Sequence, residues 1–244
     1  MKKPARPLID FRRIVLKVSG ESLAANGEKG VSADEVLRLA EQVKSVHERG
    51  TQVAVVVGGG NLVRGTQFAS SPQSRVAADH MGMLATAING LALQDALEQK
   101  AVPSRVLSAF SIGTLCEPFA ARRCVSHLEK GRVAILVGGT GSPFFTTDTT
   151  AALRASEIGA GVFLKATKVD GVYSGDPLND RTARRFEHVS YMDVIQKRLK
   201  VMDLTAITLC MEQRLPIIVF DLWQAKSLAR VVAGEALGTL VSDA

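Results

Sequence analysis

The sequence predicts a three-layer α/β/α sandwich around a mostly parallel central sheet, and three observations point there. Short apolar runs are continuous rather than alternating, which marks strands covered on both faces. Amphipathic helical patterns separate them. Glycines stand where the runs end, and folds of this class bind ligands at the carboxyl ends of their strands.

The elements follow in order. An apolar run from Arg13 to Val18 ends at Ser19-Gly20. A helix then opens on a capping box, Ser32 to Glu35, with a stripe of Val36, Leu39, Ala40, Val43 and Val46 and a stop at Gly50. The β-branched run Gln52 to Val57 enters Gly58-Gly59-Gly60. A long helical pattern follows, with Val76, Met83, Leu84, Ala87, Ile88 and Leu91 on one face. A strand near Ser104 to Ala109 leads to a helix that ends at Gly131, and the strand Arg132 to Val137 enters Gly138-Gly139-Thr140-Gly141. A helix begins around Thr147-Asp148, and Val162 to Ala166 is the next strand. Residues 167–189 form a long polar connection, of the kind that often carries function. Ser190 and Asp203 are placed to cap further helices. Pro216 to Phe220 is a strand, Gln224 to Gly234 a helix, and a short apolar end closes the chain.

The 244 residues are ample for one sizeable core. With 46% hydrophobic and 22% charged residues, the composition excludes disordered and membrane-embedded classes. The basic first residues lack the apolar stretch of a secretory signal. Cys116, Cys124 and Cys210 are widely spaced among apolar neighbours and read as buried reduced thiols of a cytoplasmic protein. The formal charge is +6, but residues 1–13 alone carry +4 through Lys2, Lys3, Arg6, Arg12 and Arg13 against Asp10. The chain therefore reads as a basic tail, residues 1–12, followed by a single domain, residues 13–244. Nothing outside the tail interleaves basic and aromatic residues as a nucleic-acid surface does.

The three glycine turns share a design. Glycine adopts positive φ and exposes backbone N–H groups to an anion, and helix N-termini add positive potential. One such turn has steric explanations. Three on one sheet edge, with Lys17 and Arg64 beside two of them, favour polyphosphate binding. The loop is not a P-loop, a dinucleotide fingerprint or a protein-kinase signature, since none of those motifs occurs. The four histidines are scattered. His80 beside Asp79 is the one to watch, although a hydrogen-bonded or surface role suits all four.

Specific residues then narrow the reading. Lys17-Val18-Ser19-Gly20-Glu21, GGGNLVRG at 58–65, DHMGMLAT at 79–86, GTGSPFFTTDT at 139–149, ATKVDGVYSGDP at 166–177 and VMDLTA at 201–206 together resemble the bacterial uridylate kinase family of the amino-acid kinase superfamily. The match runs from about Arg13 to Val241. The resemblance implies transfer of the γ-phosphoryl of ATP to UMP, with Mg²⁺ carried by the nucleotide phosphates and no metal ligands of the protein's own. It implies ATP contacts at Lys17, Ser19, Gly20, Gly60, Arg64, Thr167, Tyr173 and Asp176. UMP contacts would fall on Gly59, Asp79 and the segment Thr140, Gly141, Ser142, Pro143, Phe144, Phe145, Thr146 and Thr147. Lys17, Arg64 and Asp203 would serve the reaction, with Asp203 orienting Lys17 and the metal-bound phosphates. Residues Ala25, Asn26, Gly27, Glu28, Lys29 and Gly30 match the segment where GTP activation is felt. The resemblance further implies inhibition by UTP, a homohexamer with the 75–99 helix as an interface, and a division in which the part from about 160 serves mainly ATP. Bland readings stand beside these: Asp203 and Asp148 as helix caps, Tyr173 as a loop anchor, Phe144 and Phe145 as plain core. Ser142 departs from the family, which usually has Asn there. Other readings are a kinase of the same superfamily acting on a carboxylate or carbamate, and a nucleotide-binding regulatory protein.

Overall fold

The strand β1 (Arg13–Val18) takes the middle of the sheet because five of its six residues are apolar or buried on both faces. A computed structural model of the chain, describing residues 9–63, 71–175, 180 and 182–243, places it in a nine-stranded sheet. The strands are β1, β2 (Gln52–Val57), β3 (Ser104–Ser108), β4 (Glu117–Pro118), β5 (Val133–Val137), β6 (Val162–Thr167), β7 (His188–Val189), β8 (Ile217–Asp221) and β9 (Thr239–Val241). Their order is β4-β3-β5-β2-β1-β6-β8-β9-β7, parallel throughout except for the β8/β9 pair. The helices are α1 (Ala33–His47), α2 (Pro72–Gln99), α3 (Ala121–Glu129), α4 (Thr147–Glu157), α5 (Tyr191–Gln196), α6 (Leu204–Glu212) and α7 (Ser227–Val232), with a 3₁₀ turn at Gly20–Leu23.

Alternate residues of each strand feed two cores. Ile14, Leu16 and Val18 join α1, α2 and α7 on one side of the sheet. Val15, Ala54, Phe163 and Ile217 join α3, α4 and α6 on the other. The sandwich is therefore three-layered, and all three cysteines are buried as free thiols. Burial pushes the Cys124 thiol up to about 12.

Most predicted elements are present within a few residues. Ser32 caps α1 by accepting the Glu35 N–H at 3.4 Å, but the box closes on one side only, because the Glu35 carboxylate turns to Arg38 instead. The connection 167–189 holds two elements the pattern does not show, a Tyr173–Arg185 bridge and β7. The largest difference lies in α2. The predicted stripe is only partly inward: Met83 and Ala87 are buried, while Leu84 and Ile88 are 50% and 54% exposed. The inner face is Ala85, Thr86, Asn89, Gly90, Leu93, Ala96 and Leu97. Gly90 is there because a Cβ would lie 2.4 Å from Val137. Both faces of α2 carry apolar residues, so periodicity alone does not separate the buried face from the exposed one. No helix among the described residues is long and apolar enough to cross a membrane.

Candidate active site

Lys17 and Lys165 are register partners on the adjacent parallel strands β1 and β6, so their side chains leave the same face. That face lies under the start of α4, where Asp148 is the second helical residue. The Lys165 ammonium donates to Asp148 Oδ2. Lys17 Nζ lies 3.0 Å from Asp148 Oδ1, at ion-pair distance but misaligned for a hydrogen bond. All three side chains are nearly buried. Burial alone would raise the Asp148 pKa, but the two lysines outweigh it and hold the carboxyl below its usual range. Burial, helped by Lys17, pulls Lys165 below the usual lysine value against the pull of Asp148. The three side chains carry one net positive charge at the carboxyl end of the central strands, and the Asp203 carboxylate stands within electrostatic reach of Lys165.

Asp203 caps α6 through the Ala206 N–H (3.1 Å). It also accepts from Thr149 Oγ1 at 2.7 Å and from the Thr146 hydroxyl, and Thr146 is the cap of α4. One carboxylate thus joins the N-termini of two helices, so the cap reading and a site role coexist. The carboxylate at ion-pair distance from Lys17 is Asp148, and Asp203 stands within electrostatic reach of the neighbouring Lys165.

The first two glycine turns lie against each other. A Cβ on Gly20 would sit 2.6 Å from the Gly60 amide nitrogen, and one on Gly58 would sit 2.8 Å from the Gly20 nitrogen. Ser19 Oγ lies 3.0 Å from Ser22 Oγ at the head of the 3₁₀ turn. The third turn holds Gly138, Gly139 and Gly141 at positive φ, and its Gly138 N–H donates to Thr86 Oγ1 at 2.7 Å.

A cavity of about 140 Å³ is lined by Gly59, Gly60, Asp79, Thr140, Phe145, Thr146 and Thr147. Asp79 accepts from Arg75 Nε (3.0 Å) and from the Phe144 N–H (2.8 Å), which ties α2 to the 139–147 segment. Phe144 sits at φ 71° with Arg75 over its ring. Phe144 and Phe145 are 60% and 52% exposed, which decides against a core role for either. Gly141 holds φ 86°, the exposed Ser142 donates its N–H to Thr140 Oγ1 (3.2 Å), and Pro143 is half-buried beside it.

A second cavity, about 380 Å³, is lined by Val169, Gly171, Tyr173 and Gly175 together with Lys197, Arg198 and Lys200. Tyr173 donates to Asp170 at 2.6 Å, and that bond raises its pKa. Thr167 ends β6 and accepts the Val169 N–H at 3.0 Å. A third space, about 290 Å³, is bounded by Ala25, Gly27, Glu28, Lys29, Gly60 and Lys168. Asn26 faces a neighbouring hollow, and Gly30 donates its N–H to the Asn61 carbonyl at 3.0 Å. Arg64, Asp176 and residues 1–8 of the tail lie outside the described residues. His80 is exposed. Among the described residues no three His, Cys, Asp or Glu side chains group as a metal site.

The motif reading missed Lys165, Asp148 as an ion-pair partner, Thr86, Thr149 and the Lys197–Lys200 cations. Lys165 had one signal, a lysine in the middle of an otherwise apolar strand, since a cation is rarely buried without a partner. The amino acid kinase family matches residues 12–221. The chain is similar over 95% of its length to a UMP kinase of Bacillus anthracis (34% identity, 96% of that chain, TM-score 0.92). It is also similar to a UMP kinase of Ureaplasma parvum (37% identity, 96% of this chain and 100% of that one, TM-score 0.89). A uridylate kinase of Archaeoglobus fulgidus aligns at 29% identity over 94% and 99% of the two chains, with TM-score 0.70. A match of this extent, on a sheet whose carboxyl edge gathers three glycine turns around paired lysines, means that the chain belongs to the amino acid kinase family.

Proposed function

We propose that the chain phosphorylates UMP: a UMP phosphate oxygen bonds to the γ-phosphorus of ATP, the bond from that phosphorus to the β–γ bridging oxygen breaks, and ADP leaves. The observation that carries the reading is the Lys17–Asp148–Lys165 cluster, buried at the carboxyl ends of β1 and β6 at the head of α4. The UMP kinases similar to this chain over nearly its whole length supply the acceptor.

The chemistry suits these residues. The second pKa of a phosphate monoester is about 6, so UMP arrives mostly as a dianion and needs no strong base. The difficulty is repulsion, about 4 kcal/mol per unit pair at 4 Å and an effective dielectric of ~20. Lys17 and the amides of Gly20, Gly59 and Gly60 offset it, with Lys17 at the transferred group. Such transfer depends mainly on positioning and charge stabilisation. UMP occupies the cavity of Gly59, Asp79, Thr140 and Phe145, with Gly141, Ser142, Pro143 and Phe144 at its edge. ATP runs from Ser19 and Gly20 past Thr167 to Tyr173. Arg64 and Asp176 add phosphate and adenosine contacts. Asp203, a half-buried carboxylate near the cluster, bonds to hydroxyls and an amide rather than to a lysine, which fits a metal carried on phosphate oxygens. Bound Mg²⁺ would neutralise β- and γ-phosphate charge beside it.

The finer reading comprises GTP activation through residues 25–30, UTP inhibition, a homohexamer, and a place in cytoplasmic pyrimidine biosynthesis. Release of ADP is measured with UMP, CMP, AMP and acetylglutamate as acceptors, with and without GTP. UMP is expected to support turnover well above the others. Equal turnover with acetylglutamate would overturn the acceptor assignment.

A further inference from the structure

Two asparagines that no ligand contact requires meet beneath the phosphate turns. Asn89 is 0% exposed in the middle of α2, and Asn61 follows Gly60 at 3%. Their amides close a reciprocal ring: Asn61 Nδ2 donates to Asn89 Oδ1 at 3.0 Å, and Asn89 Nδ2 to Asn61 Oδ1 at 2.8 Å. The remaining hydrogens reach backbone carbonyls. Asn89 Nδ2 donates to the Gly58 carbonyl and Asn61 Nδ2 to the Gly30 carbonyl, each at 2.7 Å. All four amide N–H groups are used, and this amide orientation is the one that gives both carbonyls a donor. Gly20 closes over the ring, since a Cβ there would lie 2.5 Å from Asn61 Oδ1.

We infer that Asn61 and Asn89 are a positioning pair that sets the Gly58–Gly60 turn for phosphate and binds it into one unit with loop 25–30 and α2. The inference rests on the reading of that turn as a phosphate cradle. Asparagine is a poor helix former, and an apolar side chain would suit the core around position 89. Neither an alkyl group nor water at that place holds the Gly58 carbonyl to a rigid helix in the same direction. A fully satisfied buried network fixes one geometry, whereas a half-satisfied one is costly. Displacement of loop 25–30 reaches the turn through Asn61, and displacement of α2 reaches it through Asn89.

The test is steady-state kinetics, with UMP and ATP varied separately, on Asn89→Leu, Asn89→Ser, Gly60→Ala and Leu93→Ala, alongside thermal midpoints. Leu93 is buried one turn further along the same helix. Gly60 has open space where a Cβ would go, so Gly60→Ala probes the ligand rather than the fold. Both Asn89 variants are expected to raise KM for the two nucleotides about tenfold. Leu93→Ala is expected to lower the midpoint at least as much and keep both KM values within twofold. If Gly60→Ala raises KM while both Asn89 variants do not, the pair is a core feature and the inference fails. If Gly60→Ala also leaves both KM values unchanged, the cradle reading itself fails. Asn89→Ser, which is smaller and cannot reach the Gly58 carbonyl, carries the test if Asn89→Leu does not fold.

Discussion

At the scale of single residues, the site is governed by one carboxylate between two lysines. Lys17→Ala is expected to lower kcat by at least a hundredfold with UMP affinity changed far less, because the proposed function sets its ammonium against charge that develops during transfer. Turnover within a few-fold of the parent would sink that assignment. Asp148→Asn leaves two buried cations facing each other, and breaking such a pair costs about 3–5 kcal/mol. A lysine whose folded pKa lies below its unfolded value releases protons on folding, so stability rises with pH between the two values. The deficit of Asp148→Asn should therefore shrink as pH climbs toward about 10, the ordinary lysine range, when followed by chemical denaturation. Asp79→Asn should weaken UMP binding more than ATP binding in calorimetry, and equal loss of both would refute its place in the UMP cavity. Lys17 and Asp79 were legible because each sits inside a contiguous motif. The Lys17–Asp148 pairing was not, because strand register and helix placement bring the two together across 131 positions.

Among the elements, the turns are where sequence and geometry agree most closely. Glycine at 20 answers a close approach: a Cβ would meet the Gly60 nitrogen at 2.6 Å and Asn61 Oδ1 at 2.5 Å. Gly20→Ala is expected to cost about 1–3 kcal/mol, as overpacked sites do, and to reduce activity beyond that loss. Gly50→Ala, at φ 84° but in open space beyond α1, strains the backbone alone and should leave kcat intact; thermal denaturation and ADP release on both variants check the contrast. Caps at Ser32, Ser190 and Asp203 were legible for the same local reason, since an oxygen three residues ahead of a free N–H needs no tertiary information. The inner face of α2 was not, because its core side is built from Ala, Thr, Asn and Gly while Leu84 and Ile88 face outward. Small residues let the helix approach β3 and β5 closely, and a hydrophobicity pattern scores them low.

For the whole molecule, the outward apolar residues of α2 bear on assembly. Met81, Leu84 and Ile88 are exposed along one helix, a surface of the kind that self-association covers. Leu84→Glu with Ile88→Glu is expected to yield smaller species in sedimentation velocity while each subunit keeps its helical content. An unchanged sedimentation coefficient would remove this helix from the proposed assembly. The sheet order was not legible, because β9 runs antiparallel between β8 and the edge strand β7, and the two edge strands, β4 and β7, have only two residues each. The register of β1 against β6 carries a last consequence. A slip of one residue would turn Lys165 away from Asp148 and into the apolar layer beneath α1, stranding an ammonium in oil. The buried charges of the cluster therefore also proofread strand pairing. Misaligned chains are too unstable to accumulate, and soluble refolded enzyme should match the specific activity of protein that was never unfolded.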